Sequence, residues 1–128
     1  MRDFDRSLAF YRDGLGFPLH DFVEGQRFAM FRLKGSWLSL FPREELAADA
    51  GVPDAGVPED GLGFPGFSLA HNVASREEVD RVYTLALSVD AAARKAPAET
   101  FWGGYSGYFT DPEGFLWEVA WNPFTDLT

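Results

Sequence analysis

The fold is best indicated by one stretch near the C-terminal end, Gly107-Tyr-Phe-Thr-Asp-Pro-Glu-Gly-Phe-Leu-Trp-Glu-Val-Ala-Trp-Asn-Pro123. Its Asp-Pro-Glu-Gly segment is typical of a β-turn, because Pro fixes φ early in a turn and Gly tolerates a positive φ at its end. The stretch therefore predicts strands over residues 107–111 and 115–121. Strand alternation places Leu116, Glu118 and Ala120 on one face and Trp117, Val119 and Trp121 on the other. If the apolar trio packs under helices, Glu118 points away from them.

The segment before this stretch predicts a strand, a helix and a further short strand. Residues 66–73 read as the first strand. Ser75 then begins a helix, because Glu78 three residues later completes a capping box. No Gly or Pro marks where this helix ends between residues 88 and 92. A short strand is predicted near residues 93–96.

The first half of the chain predicts a similar order of elements. Residues 3–15 form an amphipathic helix, because Phe4, Leu8, Tyr11 and Leu15 fall on one face. Three strands follow at 19–23, 28–33 and 37–41, and then one or two helical turns at 43–49. The Gly- and Pro-rich residues 51–63 have no periodicity and read as a linker or a mobile flap.

Two blocks repeat in the same order in the two halves, which indicates a duplicated unit. Residues 3–11 lie over 75–83, and 35–41 lie over 114–120. The alternative is chance similarity between amphipathic segments. We predict one domain over 1–128, with a first unit at about 1–49, a linker at about 50–65 and a second unit at about 66–123. The overlay puts Met1 on Val73, so the first unit is expected to lack its opening strand.

The composition excludes several classes of function. The chain has a formal net charge of −9 and no cysteine. Phosphate contacts need clustered Lys and Arg, so nucleic-acid binding is not expected. Without cysteine there is no disulfide framework and no thiolate site. No apolar run is long enough to span a membrane, and the first residues do not read as a signal peptide, so we expect a cytoplasmic protein.

These motifs resemble a known family. The opening Asp3-Phe-Asp-Arg-Ser-Leu-Ala-Phe-Tyr-Arg-Asp-Gly-Leu-Gly-Phe17 and the closing stretch quoted above are similar to the first helix and last strands of the vicinal-oxygen-chelate superfamily. This superfamily contains glyoxalases, bleomycin-resistance proteins and dihydroxybiphenyl dioxygenases. The resemblance implies an α+β fold of paired βαβββ units whose sheets curl around a cup. In the family's enzymes a divalent metal in the cup is held by His and Glu from the first and last strands of each unit.

The resemblance does not carry over a full set of metal ligands. Ser39 stands where a Glu is expected, Ser68 stands where a His is expected, and only Glu118 matches a ligand position. Catalytic divalent ions normally need three or more His, Asp or Glu ligands, so we expect no bound metal. The alternative is a divalent ion such as Zn, Mn, Ni or Fe, with a further ligand on an upstream strand.

Candidate site residues follow from the faces of the predicted strands. Glu118 is the candidate catalytic residue, as a general base or as the partner of a cationic ligand group; the alternative is a strand Glu without chemistry. Ligand-binding candidates on the cup side are Trp37, Ser39, Phe41, Ser68 and Asn72, with Trp102, Tyr105 and Tyr108 as a rim or lid. The aromatic members could instead fill the core or a dimer interface. His71 falls on the helix side and is expected to be a core or edge histidine.

Two functions remain open from the sequence. The first is a small-molecule-binding protein of the bleomycin-resistance type that works without a metal and holds an aromatic or cationic ligand. The second is a metal-dependent lyase, isomerase or dioxygenase, and a structural dimerisation module is a weaker third. A homodimer is expected in each case, because family members commonly pair and a unit that is short of one strand has an exposed edge.

Overall fold

A computed structural model of the chain describes residues 1–52 and 66–128. They divide into two compact units, Met1–Leu46 and Ala47–Thr128. Most of the predicted linker at 50–65 lies outside the described residues. Among the described helices, none has the length and apolar character needed to cross a membrane.

The first unit is a helix followed by a three-stranded antiparallel sheet. Helix α1 spans Phe4–Ala9 and continues as a π-helical turn over Phe10–Gly14. The strands are β1 (Leu19–His20), β2 (Ala29–Leu33) and β3 (Ser36–Leu40), in the order β1-β2-β3. The core is formed by Phe4 and Leu8 of α1 against Ala29, Phe31 and Leu40 of the sheet. Helix α2 (Arg43–Ala50) begins in this unit and ends in the second.

The second unit has the complete strand–helix–three-strand order. Strand β4 (Leu69–Asn72) leads to helix α3 (Arg76–Ser88), and then to β5 (Ala92–Glu99), β6 (Tyr105–Thr110) and β7 (Leu116–Trp121). The sheet order is β4-β7-β6-β5, with β4 parallel to β7 and the other pairs antiparallel. Val79 and Tyr83 of α3 pack on Val73 and Val119 to form the core. The predicted α+β fold class is therefore confirmed.

Element boundaries differ from the sequence predictions where the backbone takes an unusual conformation. The first helix is α-helical only to Ala9, because the next turn widens into a π-helix. Strand β1 stops after two residues because Asp21 has a φ of 46°, which extended backbone does not allow. Strand β5 is longer than predicted and contains Pro97, which is tolerated because β5 is an edge strand with register shifts around Lys95.

Candidate functional site

Glu118 lies in the middle of β7, on the sheet face that points away from α3. Its direct neighbours across the sheet are Tyr108 on β6 and Ala70 on β4. The next residue, Val119, belongs to the core under α3. The strand alternation read from the sequence is therefore correct, and we call the surface around Glu118 the Glu118 face. It also carries Ser106, Thr110, Leu116 and Ala120, all of them buried.

A polar cluster surrounds Glu118 on this face. Tyr108 is 1% exposed, and its hydroxyl donates a hydrogen bond of 2.7 Å to Oδ2 of Asp49. Asp49 lies near the end of α2, and its side chain is 19% exposed. The Nζ atom of Lys95 donates to the Asp49 backbone carbonyl at 2.6 Å and lies 3.3 Å from its Oδ1. We call Asp49, Lys95, Ser106, Tyr108 and Glu118 the carboxylate cluster.

The surroundings raise the pKa of Glu118 to about 6. Burial is the largest cause, since removing water disfavours the charged form, and the negative charge of Asp49 adds to it. Hydrogen bonds from Ser106 and Tyr108 and the positive charge of Lys95 oppose the shift. Glu118 therefore changes protonation state close to neutral pH.

Tyr108 behaves in the opposite way and stays protonated. Burial, followed by the negative charges of Glu118 and Asp49, raises the pKa of its hydroxyl far above the ordinary value of 10. Its single proton can serve one acceptor at a time, and the hydroxyl donates to Asp49 at 2.7 Å. The cluster thus combines a fixed hydroxyl donor with one carboxyl group that exchanges protons. Such a group can accept a proton, donate one or face a cationic ligand group.

The donor set around Glu118 does not fit a divalent metal of the family type. Such an ion needs three or more His, Asp or Glu ligands. Asp49 is the second carboxylate of the cluster, and its oxygens are occupied by Lys95 and Tyr108. Over residues 1–52 and 66–128, no three His, Cys, Asp or Glu side chains are grouped in a way that could hold a metal ion. No chemical step is therefore assigned to a metal.

The structure places Ser68 and Asn72 near Glu118 in the register of the sheet. Asn72 pairs with Ala120 of β7 and so shares the Glu118 face. Ser68 directly precedes β4, and both side chains are half-buried. His71 pairs with Val119, so it lies on the α3 side as predicted, and it is exposed.

Of the three residues predicted as a rim or lid, Tyr105 lies on the opposite face of the sheet from Glu118. Tyr105 is on the α3 side, where its hydroxyl donates a hydrogen bond of 2.9 Å to Asp80 and Arg76 lies over its ring. Trp102 covers Gly104 so closely that a Cβ added to this glycine would lie 1.9 Å from the indole. Tyr108, the third, is buried in the middle of the sheet and belongs to the carboxylate cluster.

The candidates of the first half lie in the first unit. Trp37 and Ser39 point away from α1, because their partners across β2 are Arg32 and Met30, which alternate with the core residues. Phe41 follows β3 and meets the ring of Phe28 edge-on at 5.5 Å.

Sequence reasoning did not find Asp49, Lys95 and Ser106. Ser106 could have been found by extending the alternation of Tyr108 back by two residues, because it shares that face of β6. Lys95 follows an irregular register in β5, which obscures its face. Asp49 lies 59 residues before Tyr108 along the chain, and no local pattern links the two.

Solved structures that are similar to this chain include the following three. A glyoxalase-related enzyme from Fulvimarina pelagi is 26% identical, with 96% of this chain and 83% of that chain covered and a TM-score of 0.47. A protein from Legionella pneumophila described as an NAD-dependent benzaldehyde dehydrogenase is 22% identical, with 94% and 92% covered and a TM-score of 0.66. A glyoxalase/bleomycin resistance protein/dioxygenase superfamily member from Vibrio splendidus 12B01 is 16% identical, with 94% and 91% covered and a TM-score of 0.56. At these identities the last two show the fold alone.

Comparison with curated proteins gives no match. A family model, by contrast, matches residues 1–119, which is most of the chain. The matched region includes the helix of the first unit, β4 to β6 with α3 of the second unit, and β7 as far as Val119, and so contains Glu118. The chain therefore belongs to the Glyoxalase/Bleomycin resistance protein/Dioxygenase superfamily.

Proposed function

We propose that the protein binds a small organic molecule on the Glu118 face and does so without a catalytic metal. The observation that carries this proposal is the position of Glu118, half-buried beside two hydroxyl donors and a second carboxylate. A buried carboxyl group on a strand is costly unless something compensates for its desolvation. A ligand with a cationic or hydrogen-bond-donating group would provide that compensation.

The proposed ligand contacts are the polar groups that share this face. Ser68 and Asn72 offer a hydroxyl and an amide next to the strand of Glu118. The proton of Tyr108 is donated to Asp49, so its proposed contact with a ligand is through the hydroxyl oxygen as an acceptor. Pockets for small molecules combine apolar walls with a few such polar groups. Trp102 and Tyr105 remain proposed contacts. A contribution from the Tyr105 hydroxyl is expected to be small, because it already donates a hydrogen bond to Asp80.

The first unit contributes a separate set of proposed contacts, Trp37, Ser39 and Phe41. They are proposed from the alternation of β3, which turns Trp37 and Ser39 away from α1. A homodimer and a cytoplasmic location, both predicted from the sequence, are also part of the proposal.

The alternative is a metal-dependent lyase, isomerase or dioxygenase of the same superfamily. This alternative is supported by the name of the superfamily, which includes dioxygenases. Elemental analysis of the purified protein separates the two functions. The proposal expects less than stoichiometric Zn, Mn, Ni and Fe, whereas one equivalent that disappears in Glu118→Ala would establish the alternative.

Binding itself is tested with a matched pair of probes. We expect N-methylquinolinium, a flat cation, to quench tryptophan fluorescence at about pH 8, where Glu118 is ionised, and to bind more tightly than the neutral 1-methylnaphthalene of similar size. Glu118→Gln should weaken binding of the cation by at least about tenfold. The control is Glu113→Gln, which removes the same charge from an exposed turn position.

Two results would reject the binding proposal. One is equal affinity for the cation in the Glu118→Gln and wild-type proteins. The other is equal loss in Glu113→Gln, because the effect would then reflect the net charge of the protein rather than the Glu118 face.

A further inference from the structure

The first unit has a polar and aromatic sheet face that its core does not use. Arg32 and Trp37 are direct partners across β2 and β3, and Met30 lies between His20 and Ser39 in the neighbouring row. These residues alternate with Phe31, Leu38 and Leu40, which pack against or belong to the core under α1. We call the surface of His20, Met30, Arg32, Trp37 and Ser39 the Trp37 face.

Trp37 is held in place from two directions. The ring of His20 meets the indole nearly at right angles, at 77°, with 5.0 Å between the ring centroids. The guanidinium carbon of Arg32 lies 5.6 Å from the centroid of the indole ring. Both rings are half-buried, whereas Arg32 and Ser39 are exposed. The face thus presents a fixed aromatic surface with a cationic group beside it.

Within the described residues, Arg32 forms no ion pair with an acidic side chain, unlike Arg12 and Arg27 of the same unit. Arg12 pairs with Asp13 and Glu24, and Arg27 pairs with Glu44 and Glu45. The contact found for Arg32 over 1–52 and 66–128 is the indole of Trp37. With 20 Asp and Glu residues and a net charge of −9, partners for a surface arginine are plentiful. No carboxylate of the described residues occupies its guanidinium, which leaves its N–H donors to bind an outside anion.

The neighbouring histidine has an acidic residue of its own. Nε2 of His20 lies 3.5 Å from Oδ2 of Asp21, an exposed side chain. His20 is therefore assigned a supporting role, as the edge that fixes the indole of Trp37. The group of this face that would bind a negatively charged ligand is therefore the guanidinium of Arg32.

We infer that the Trp37 face binds a planar organic anion, an aromatic carboxylate, through Arg32 and Trp37. The guanidinium offers two parallel N–H donors that match a carboxylate. The indole offers a flat surface for the ring of the ligand, and the exposed hydroxyl of Ser39 offers a further polar contact. A single guanidinium suits one negative charge, which favours a carboxylate over a phosphate. Trp37 and Ser39 are among the contacts proposed above for the first unit, so this inference deepens that part of the proposed function and rests on it. It does not require a ligand on the Glu118 face.

The test uses the full chain and two probes that differ in charge. Binding of 1-naphthoate and of the neutral 1-naphthamide is measured by isothermal titration calorimetry at about pH 8. We expect the anion to bind at least about tenfold more tightly. Arg32→Gln should abolish this preference, and Arg32→Lys should restore it in part, because Lys keeps the charge but loses the paired donors.

A control variant separates this inference from general electrostatics. Arg81→Gln removes an exposed arginine from α3 and should retain the preference for the anion. The Glu118 proposal is tested separately by the affinity for the cationic probe, so the failure of one does not imply the failure of the other. The inference is overturned if the wild-type protein shows no preference, if Arg32→Gln retains it, or if Arg81→Gln loses it as well. Thermal unfolding of each variant, run alongside, confirms that Arg32→Gln is folded.

Discussion

At the scale of single residues, Tyr108 connects two carboxylates that would otherwise repel each other. Its hydroxyl donates to Asp49 and lies next to Glu118, while Lys95 holds Asp49 from the other side. A buried hydrogen bond to a charged acceptor contributes more to stability than a neutral one. The hydroxyl of Tyr108 should therefore matter more than its depth in the sheet alone would indicate.

Replacing Tyr108 by Phe tests this contribution. The ring still fills its place, but Asp49 loses a hydrogen bond of 2.7 Å, so we expect a loss of about 2 kcal/mol in the free energy of unfolding. Tyr105→Phe is the matched control, because it removes an exposed hydrogen bond to Asp80 and should cost less than about 0.5 kcal/mol. Urea denaturation measures both. Equal losses of unfolding free energy in the two variants would show that the hydrogen bond from Tyr108 to Asp49 contributes no more than an exposed one.

Glu118 should make the stability of the protein depend on pH. Its pKa rises from an ordinary 4.5 to about 6 on folding, so the folded state holds the proton more tightly than the unfolded state. The resulting stabilisation is complete below about pH 4.5 and is lost as pH rises through about 6, a change of about 2 kcal/mol. Relative to Glu118→Gln, the wild-type protein should lose this amount between about pH 4 and pH 7.5.

The matched variant for the pH experiment is Glu113→Gln. Glu113 is exposed in the turn before β7, so its substitution should leave the pH dependence of the unfolding free energy unchanged. A constant difference between the wild-type protein and Glu118→Gln across the pH range would mean that Glu118 has an ordinary pKa.

The face on which Glu118 lies could be predicted from the sequence, whereas the contacts of Asp49 could not. The position of Glu118 opposite α3 follows from strand alternation, because side chains two apart share a face. The approach of Asp49 cannot be predicted in this way, because it depends on how the end of α2 meets β5 and β6. Likewise, Tyr105 and Tyr108 look alike in a Gly-rich stretch, and only the strand boundary assigns them to opposite faces.

At the scale of elements, local signals predicted the second helix better than the first. Helix α3 begins where the capping box places it: the Ser75 hydroxyl accepts from the Glu78 amide at 3.2 Å, and Glu78 accepts from the Ala74 amide at 2.9 Å. Its end had no Gly or Pro signal, and Asp90 takes the left-handed conformation there, with a φ of 74°. The change from α to π after Ala9 left no recognisable mark in the sequence.

The cap of α3 gives a prediction at this scale. Ser75→Ala removes the side-chain acceptor for the Glu78 amide and should lower the free energy of unfolding by about 1 kcal/mol. The control is Ser88→Ala at the other end of the helix, whose exposed hydroxyl donates to the Leu85 carbonyl and should matter little. Chemical denaturation followed by circular dichroism measures both. A larger effect for Ser88→Ala would contradict the capping argument.

At the scale of the whole molecule, the two units repeat one arrangement. In each, a helix precedes a three-stranded antiparallel meander, β1-β2-β3 in the first unit and β5-β6-β7 in the second. The second unit adds β4 beside β7. The repeat was visible in the sequence because both blocks have the same order of helix and Gly-started strand. The weak identity between the blocks left the strand pairing to be determined by the structure.

The sheet edges lead to a prediction about assembly. Among the described residues, β3 has a strand partner on one side, β2, and β4 has one, β7. Unpaired strand edges favour association, so we expect a homodimer in solution. Light scattering coupled to size-exclusion chromatography should give twice the 14.3 kDa mass of one chain. A single species of 14.3 kDa across a range of concentrations would contradict this expectation.

The central claim is that Glu118 is held as a carboxyl group poised near neutral pH by burial and by Asp49. The most direct measurement is an NMR titration of the Glu118 side-chain carboxyl carbon in the wild-type protein and in Asp49→Asn. We predict a midpoint of about pH 6 in the wild-type protein, and a lower one in Asp49→Asn, because a neighbouring negative charge is removed. A wild-type midpoint at the ordinary 4.5, unchanged in the variant, would contradict the claim.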